Sequence, residues 1–358
     1  MDYKPVSGSL QQLERLLRKL GVEGEAAFYA VASAYLGQLN ASQRDRLPDR
    51  LRRRADTAFG QVQGDREAVP ALERLVGNDP RGQSLPVLYQ HFIGRRFREG
   101  SGKFFTPQPV AAAMASLLPR DPGAVVMDPT CGGGTFLLEA VRRWGPTALT
   151  VIGNDVETTL VDLTVLSLSM NAAEAHGYRV FDSNIYEEPP SDLGSWLGNV
   201  DFILANPPFS LPIEHLDSPT RLYAIGYRNS DALFLDRARS FLRPGGRLVC
   251  LLPHSIIANA EFDRLRHAIE EDWELLGVIG MPEGVFWTTA RSSTRADILI
   301  LEKSHRSDTK QPVVFAFAPS VGVPLNGRRQ ELDQGPNYLA EVVRDRRVRQ
   351  ALQLGDAR

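Results

Sequence analysis

Val125-Val126-Met127-Asp128-Pro129-Thr130-Cys131-Gly132-Gly133-Gly134-Thr135-Phe136-Leu137 reads as a buried strand, a glycine turn and the start of a helix. Such strand-to-helix units build open α/β sheets, whose ligands sit at the carboxyl ends of the strands. Glycines have no Cβ, so the backbone approaches a ligand closely, and the free N–H groups of the following helix favour an anion such as a carboxylate. Asp128, at the strand's carboxyl end, is placed to hold a cationic group. The same shape also serves dinucleotides, but the G-x-G-x-x-G spacing is not met, which counts against that reading.

Moving outward, Leu149-Thr150-Val151-Ile152-Gly153-Asn154-Asp155 is a second strand ending in an acid. It falls about where nucleotide folds place a ribose-binding carboxylate. Asp155 is the candidate, with Glu157 as second choice. Tyr178-Arg179-Val180-Phe181-Asp182-Ser183-Asn184-Ile185 is a third. Its Asp182 is positioned to accept from an adenine amino group, and Ile185 to cover the ring. An acid at a strand's end also serves as a helix cap; the common alignment of the three acids favours ligand contact.

Asn206-Pro207-Pro208-Phe209 follows the apolar run Val200-Asp201-Phe202-Ile203-Leu204-Ala205. An exocyclic amino nitrogen is a poor nucleophile because its lone pair is delocalised into the ring. An Asn oxygen and a backbone carbonyl in one tight turn can each accept an amino hydrogen and draw the lone pair back. Each proline holds φ at about −65°, and Pro208 has no N–H to compete for the adjacent carbonyl. Phe209 offers a face on which a base can stack, worth roughly 1–3 kcal/mol in nucleic-acid sites. Read alone, the tetrapeptide is also an ordinary Asn-Pro turn.

With these motifs in order, the chain resembles the N6-adenine DNA methyltransferase superfamily, gamma class, and most closely the modification subunit of type I restriction-modification systems. The resemblance runs from about Leu85 to Lys303. Phe104-Phe105-Thr106-Pro107 resembles the family's segment ahead of the glycine loop, and Asp128 to Leu137 its donor loop. Asn206 to Phe209 resembles its catalytic tetrapeptide. Leu242 to Val249 with Leu252-Pro253 is similar to the strand after it, and Gly277 to Phe286 to a stretch flanking the target-base pocket. Two departures are Cys-Gly-Gly-Gly in place of the commoner Cys-Gly-Ser-Gly, and a longer, more basic stretch from Thr288 to Arg295.

The resemblance implies a Rossmann-like, S-adenosylmethionine-dependent methyltransferase fold: a mostly parallel seven-stranded sheet with helices on both faces, its last strand, Asp297 to Lys303, antiparallel. It implies S-adenosylmethionine as cofactor, held by Phe105, Thr106, Asp128, Thr130, Gly132, Gly134, Thr135, Phe136, Asp155, Asp182 and Ile185. Asn206, Pro207, Pro208 and Phe209 would be catalytic. The implied reaction is methyl transfer to adenine N6 in DNA. Only about 55 residues follow Lys303, which leaves no room for a large recognition domain, so a separate specificity subunit is the expected partner. Two other readings stay open. One is methylation of an amino or amide nitrogen on a nucleoside, small metabolite or protein. The other is a non-catalytic methyltransferase-fold component of a defence complex.

The 358 residues, 43% apolar and 23% charged, suffice for one large domain and a smaller one. Two cysteines, Cys131 and Cys250, make no disulfide framework, and with no signal-peptide pattern or membrane-length apolar run the expected location is the cytoplasm. The six histidines show no metal-ligand spacing, so no metal is expected. Net charge is −2, but basic groups cluster at Arg50, Arg52, Arg53 and Arg54, at Arg95, Arg96, Arg98 and Lys103, at Arg291 and Arg295, and at Arg344, Arg346, Arg347 and Arg349. Each cluster alone also reads as a solvated helix face. Arg95 to Lys103 with Arg291 and Arg295 is the expected DNA contact.

Helical spacing of Leu10, Leu13, Leu16, Leu17 and Leu20, and the run Ala26 to Leu36, predict a small helical N-terminal domain over residues 1–95. Residues 41–66 are expected to connect or form a surface helix. The catalytic domain spans 96–304, with helices over Leu160 to Ala175 and Asp231 to Leu242. Residues 305–358 form an extension with a strand-like run at Val313 to Phe317 and a basic helix from Tyr338 to Leu354. Its Leu339, Val342, Val343 and Leu352 make a candidate partner-binding face.

Overall fold

Parallel pairing of Val126 with Val151 on one side and with Phe202 on the other makes the first predicted strand the centre of a sheet. The computed structural model describes residues 7–93, 105–216, 220–286, 294–303, 312–325 and 335–355. Within them lie β1 (Ala124–Asp128), β2 (Leu149–Asp155), β3 (His176–Asp182), β4 (Val200–Ala205), β5 (Leu242–Pro253), β6 (Glu274–Gly280), β7 (Ala296–Glu302) and β8 (Val314–Phe317). Their order is β3-β2-β1-β4-β5-β7-β6-β8. β1 to β5 are mutually parallel, and β7 runs against β5 and β6.

The sheet therefore has eight strands, not the expected seven. The additional strand is the Val313–Phe317 run, which pairs in parallel with β6 at the sheet's edge. Glycines on β6 admit it: a Cβ on Gly277 would lie 3.1 Å from Val314 Cβ, and one on Gly280 2.9 Å from the Phe317 ring. The inner strands are buried on successive residues, as Ile203, Leu204 and Ala205 show, because helices cover both faces.

The chain forms two compact units, Met1–Gly100 with Asp162–Ala172, and Ser101–Val161 with Ala173–Arg358. The boundary expected near residue 95 lies outside the described residues. In the first unit, helices Ser7–Lys19 and Glu25–Leu36 match the predicted pair, and residues 41–66 contain helices Ala41–Asp45 and Asp49–Gly60. An unforeseen buried charge organises this unit. Asp162, fully buried on the Thr158–Asn171 helix, accepts from the Tyr29 hydroxyl at 2.7 Å and Arg50 Nε at 2.9 Å. Arg54 lies 3.7 Å from the same carboxylate. Arg50 and Arg54 are thus internal partners of an acid rather than free phosphate contacts.

At the other end, the single basic helix expected over Tyr338 to Leu354 is two short ones, Tyr338–Val342 and Arg346–Ala351. Asp345 separates them, its carboxylate accepting from the backbone N–H of Arg347 at 2.8 Å and starting the second. Leu339, Val343 and Leu352 are buried within the second unit, so the chain itself covers most of the face expected to dock a partner.

Candidate active site

The register of the parallel strands aligns the predicted acids. Asp128 pairs with Gly153, two residues before Asp155, and Asp155 pairs with Asp182. On the other side of β1, Met127 pairs with Ile203, so Asp128 lies one residue and Asn206 three residues beyond that pair. Between β1 and β4 the strand order reverses, the place where open α/β sheets form a ligand crevice.

The glycine loop is held by side chains from the neighbouring strand. Gly132 and Gly134 take φ of +51° and +78°, which other residues rarely adopt. Asp155 accepts from Gly132 N at 2.9 Å and from Glu157 N at 2.9 Å. It is therefore a latch for the loop and a turn former as well as a candidate ligand. Asn154 was not foreseen. Almost wholly buried, it donates to the carbonyls of Pro129 and Ser183 and accepts from the Ser183 hydroxyl at 2.7 Å, tying the loops after β1 and β3 together. Gly153 has no room for a side chain: a Cβ would lie 2.9 Å from Leu137 and 3.2 Å from Cys131 Sγ.

Asp128 is 1% exposed and accepts from Thr130 N at 3.1 Å. Burial pushes its carboxyl well above the ordinary range and the Asp155 charge adds to this, while the Thr130 N–H opposes it. The Thr130 hydroxyl is buried and has no hydrogen-bond partner among the described residues. Thr135 is half-buried, and Phe136 and Ile185 are in the apolar interior. Asp182 is exposed.

On the acceptor side, Asn206 Nδ2 donates to the Thr106 hydroxyl at 3.1 Å, joining two segments 100 residues apart. Thr106 is buried and Phe105 half-buried. Phe209 is 7% exposed and meets Phe286 edge to face, ring centroids 6.0 Å apart, so the Gly277 to Phe286 stretch does border the tetrapeptide. The Asn229-Ser230-Asp231 turn that opens helix Ser230–Phe241 fixes the loop from behind. Ser230 Oγ donates to the Pro208 carbonyl at 2.6 Å and accepts from Leu211 N at 3.0 Å. Asp231 accepts from Ser210 N at 2.9 Å, holding Ser210 at a φ of +55°. Burial raises the Asp231 carboxyl to about 6. The signal for this turn was a capping sequence ahead of a helix, which does not say what it will hold.

Of the expected DNA contacts, Arg95, Arg96, Arg98, Lys103 and Arg291 lie outside the described residues. The Arg295 guanidinium sits 5.9 Å from the centroid of the Phe317 ring.

The profile of the family described as N-6 DNA Methylase matches residues 87–336. The chain belongs to that family. Type II methyltransferase M.VspI of Vibrio sp. (strain 343) is 27% identical over 214 residues, 57% of this chain and 51% of that protein. The type I restriction enzyme MjaVII methylase subunit of Methanocaldococcus jannaschii is 23% identical over 257 residues, 67% of this chain and 43% of that protein. The N-6 DNA methylase chain thus spans about half the length of these relatives. A solved type I restriction-modification system methyltransferase subunit from Streptococcus thermophilus shares the methylase fold with a TM-score of 0.54 and 23% identity, over 72% of this chain and 58% of that one.

Proposed function

We propose that the chain transfers a methyl group from S-adenosylmethionine to the N6 amino group of adenine in DNA, with sequence recognition supplied by a separate specificity subunit. The observation that carries this reading is the adjacency of β1 and β4, which brings Asp128 and the glycine loop beside Asn206 and its two prolines.

The residues at the carboxyl ends suit the donor. Asp128, buried with a single backbone N–H, fits a cationic group, and the unpartnered Thr130 hydroxyl fits a polar one. Asp155 is the proposed ribose contact, since a carboxylate holding two N–H groups still has lone pairs to offer. Asp182 would meet the adenine amino group and Ile185 the ring. Thr106 accepts from Asn206 and keeps its own proton to donate to a carboxylate. When bound, S-adenosylmethionine supplies an electrophilic methyl group on a positive sulfur.

Asn206 and the Pro207 carbonyl hold the acceptor. Nδ2 donates to Thr106, and in this reading the amide oxygen is the atom that accepts from an incoming amino group. Ser230 occupies the Pro208 carbonyl, whereas no hydrogen bond among the described residues reaches that of Pro207. Together they draw the lone pair out of the ring. No strong general base is needed, because the proton leaves an already cationic nitrogen. Holding the two reactants in line supplies roughly 7–11 kcal/mol in well-oriented systems. Extruding the base costs a few kcal/mol, offset in part by stacking at Phe209.

The test is incubation with isotopically labelled donor and unmethylated DNA, with and without any co-purifying protein, followed by nucleoside analysis. Label in N6-methyldeoxyadenosine is expected. Label confined to free nucleoside or to protein would replace DNA as the acceptor.

A further inference from the structure

The carboxyl ends of the strands carry the proposed chemistry; the amino-terminal ends carry something else. Arg120 and Asp121 lie just before β1, and Arg143 is in the last turn of helix Thr135–Trp144. Arg344 follows helix Tyr338–Val342, and Arg349 lies on helix Arg346–Ala351. These residues line one cavity of about 740 Å3. That size is within the roughly 300–1,000 Å3 of small-molecule sites.

Among the described residues its wall is electrically unbalanced, with four guanidiniums and one carboxylate, that of Asp121, lining it. Among the described residues none of the four arginines forms an ion pair. Their side chains reach carbonyls instead: Arg120 donates to Trp144 at 2.7 Å, Arg143 to Leu118 at 2.7 Å, and Arg349 to Gly355 at 3.0 Å. Carbonyl dipoles aim a guanidinium but do not neutralise it. Arg143 Nε is buried with no hydrogen-bond partner among the described residues, and Arg349 is only 9% exposed. Burial and the charges of Arg349 and Arg120 push Arg143 down to about 10. Like charges held together in a partly buried cleft cost stability, and such arrangements mark functional sites. Guanidinium forks match the oxygens of phosphate groups.

We propose that this cavity binds a multiply charged phosphate ligand, either a free nucleoside polyphosphate or consecutive phosphates of a nucleic-acid strand. The site is separate from the donor crevice, at the opposite ends of the strands, and does not depend on the methyl-transfer reading.

The full chain is titrated with inorganic triphosphate, which has no adenosine to enter the donor crevice, and separately with a short DNA duplex, both by calorimetry at low salt. The variants are Arg143→Gln and Arg344→Ala. Arg344 is exposed and its side chain makes no hydrogen bond among the described residues, so Arg344→Ala is the variant expected to keep the fold if Arg143→Gln does not. Triphosphate affinity is expected to fall roughly tenfold or more in either variant, the scale of one charge-assisted hydrogen bond. An Arg344-dependent affinity seen with duplex alone would make strand phosphates the source. Absence of binding to both probes, or equal affinities in wild type and Arg344→Ala, would overturn the proposal.

Discussion

Ser230 and Pro208 are joined by a hydrogen bond of 2.6 Å from the serine hydroxyl to the proline carbonyl, although 22 residues separate them. Ser230 is fully buried, and Leu211 N donates to the same hydroxyl. The shape of the tetrapeptide thus depends on a helix start elsewhere in the chain. Ser230→Ala should cost about 1 kcal/mol of stability and slow single-turnover methyl transfer with donor affinity unchanged. A rate equal to wild type would show that the prolines alone hold the loop.

Asp231 gives that latch a pH dependence. As a carboxylate it accepts from Ser210 N more strongly than as an acid. Methyl transfer should therefore rise as pH increases through about 6, and Asp231→Asn should flatten that limb. Stability runs the other way. A carboxyl whose folded pKa lies above its unfolded value binds more protons when folded, so its ionisation lowers stability as pH rises from about 4 to about 6. Denaturation across this range should show the slope in wild type and lose it in Asp231→Asn.

Asn206→Ala should leave donor binding intact and reduce transfer by about 10²–10³-fold or more, the scale for losing one oriented polar group in a reaction site. Thr106→Val should give a smaller loss of the same kind, because Asn206 would lose its orienting partner. Parallel calorimetry and single-turnover rates separate the two effects. Equal loss of donor affinity in Asn206→Ala would contradict its role.

Asp155→Ala should weaken donor binding for two reasons, since the carboxylate is the proposed ribose contact and also holds Gly132 N. Hydrogen exchange around residues 130–134 should quicken in the ligand-free variant. Slow exchange together with a weakened dissociation constant would leave only the direct contact.

Gly153→Val would drive a side chain into Leu137, Val180 and Cys131, whose nearest atoms lie 2.9–3.2 Å from an added Cβ. Overpacking of this kind costs typically 1–3 kcal/mol. Thermal denaturation should register it, with donor affinity falling as the glycine loop is displaced.

The strand-to-helix unit at Val125 to Leu137 and the strand Val200 to Ala205 leading into Asn206 were legible because every residue that makes them is local. An apolar run, an acid or amide, then glycines or prolines each restrict the backbone where they stand. These units predicted an open α/β sheet, and the order of the motifs carried the resemblance that implied the methylase fold. The eighth strand was visible as an apolar run but not as a partner of β6, since its pairing depends on Gly277 and Gly280.

Contacts between distant segments had no local signature. Asn154 binding Pro129 and Ser183, Thr106 meeting Asn206, Asp162 gathering Tyr29 and Arg50, and the arginines around one cavity each arise when separate segments meet. A side chain's composition and spacing state what it can bond, and neighbours along the chain decide its backbone. Which buried donor finally answers which acceptor is settled by desolvation: once folding removes water, each polar group must find its partner within the protein.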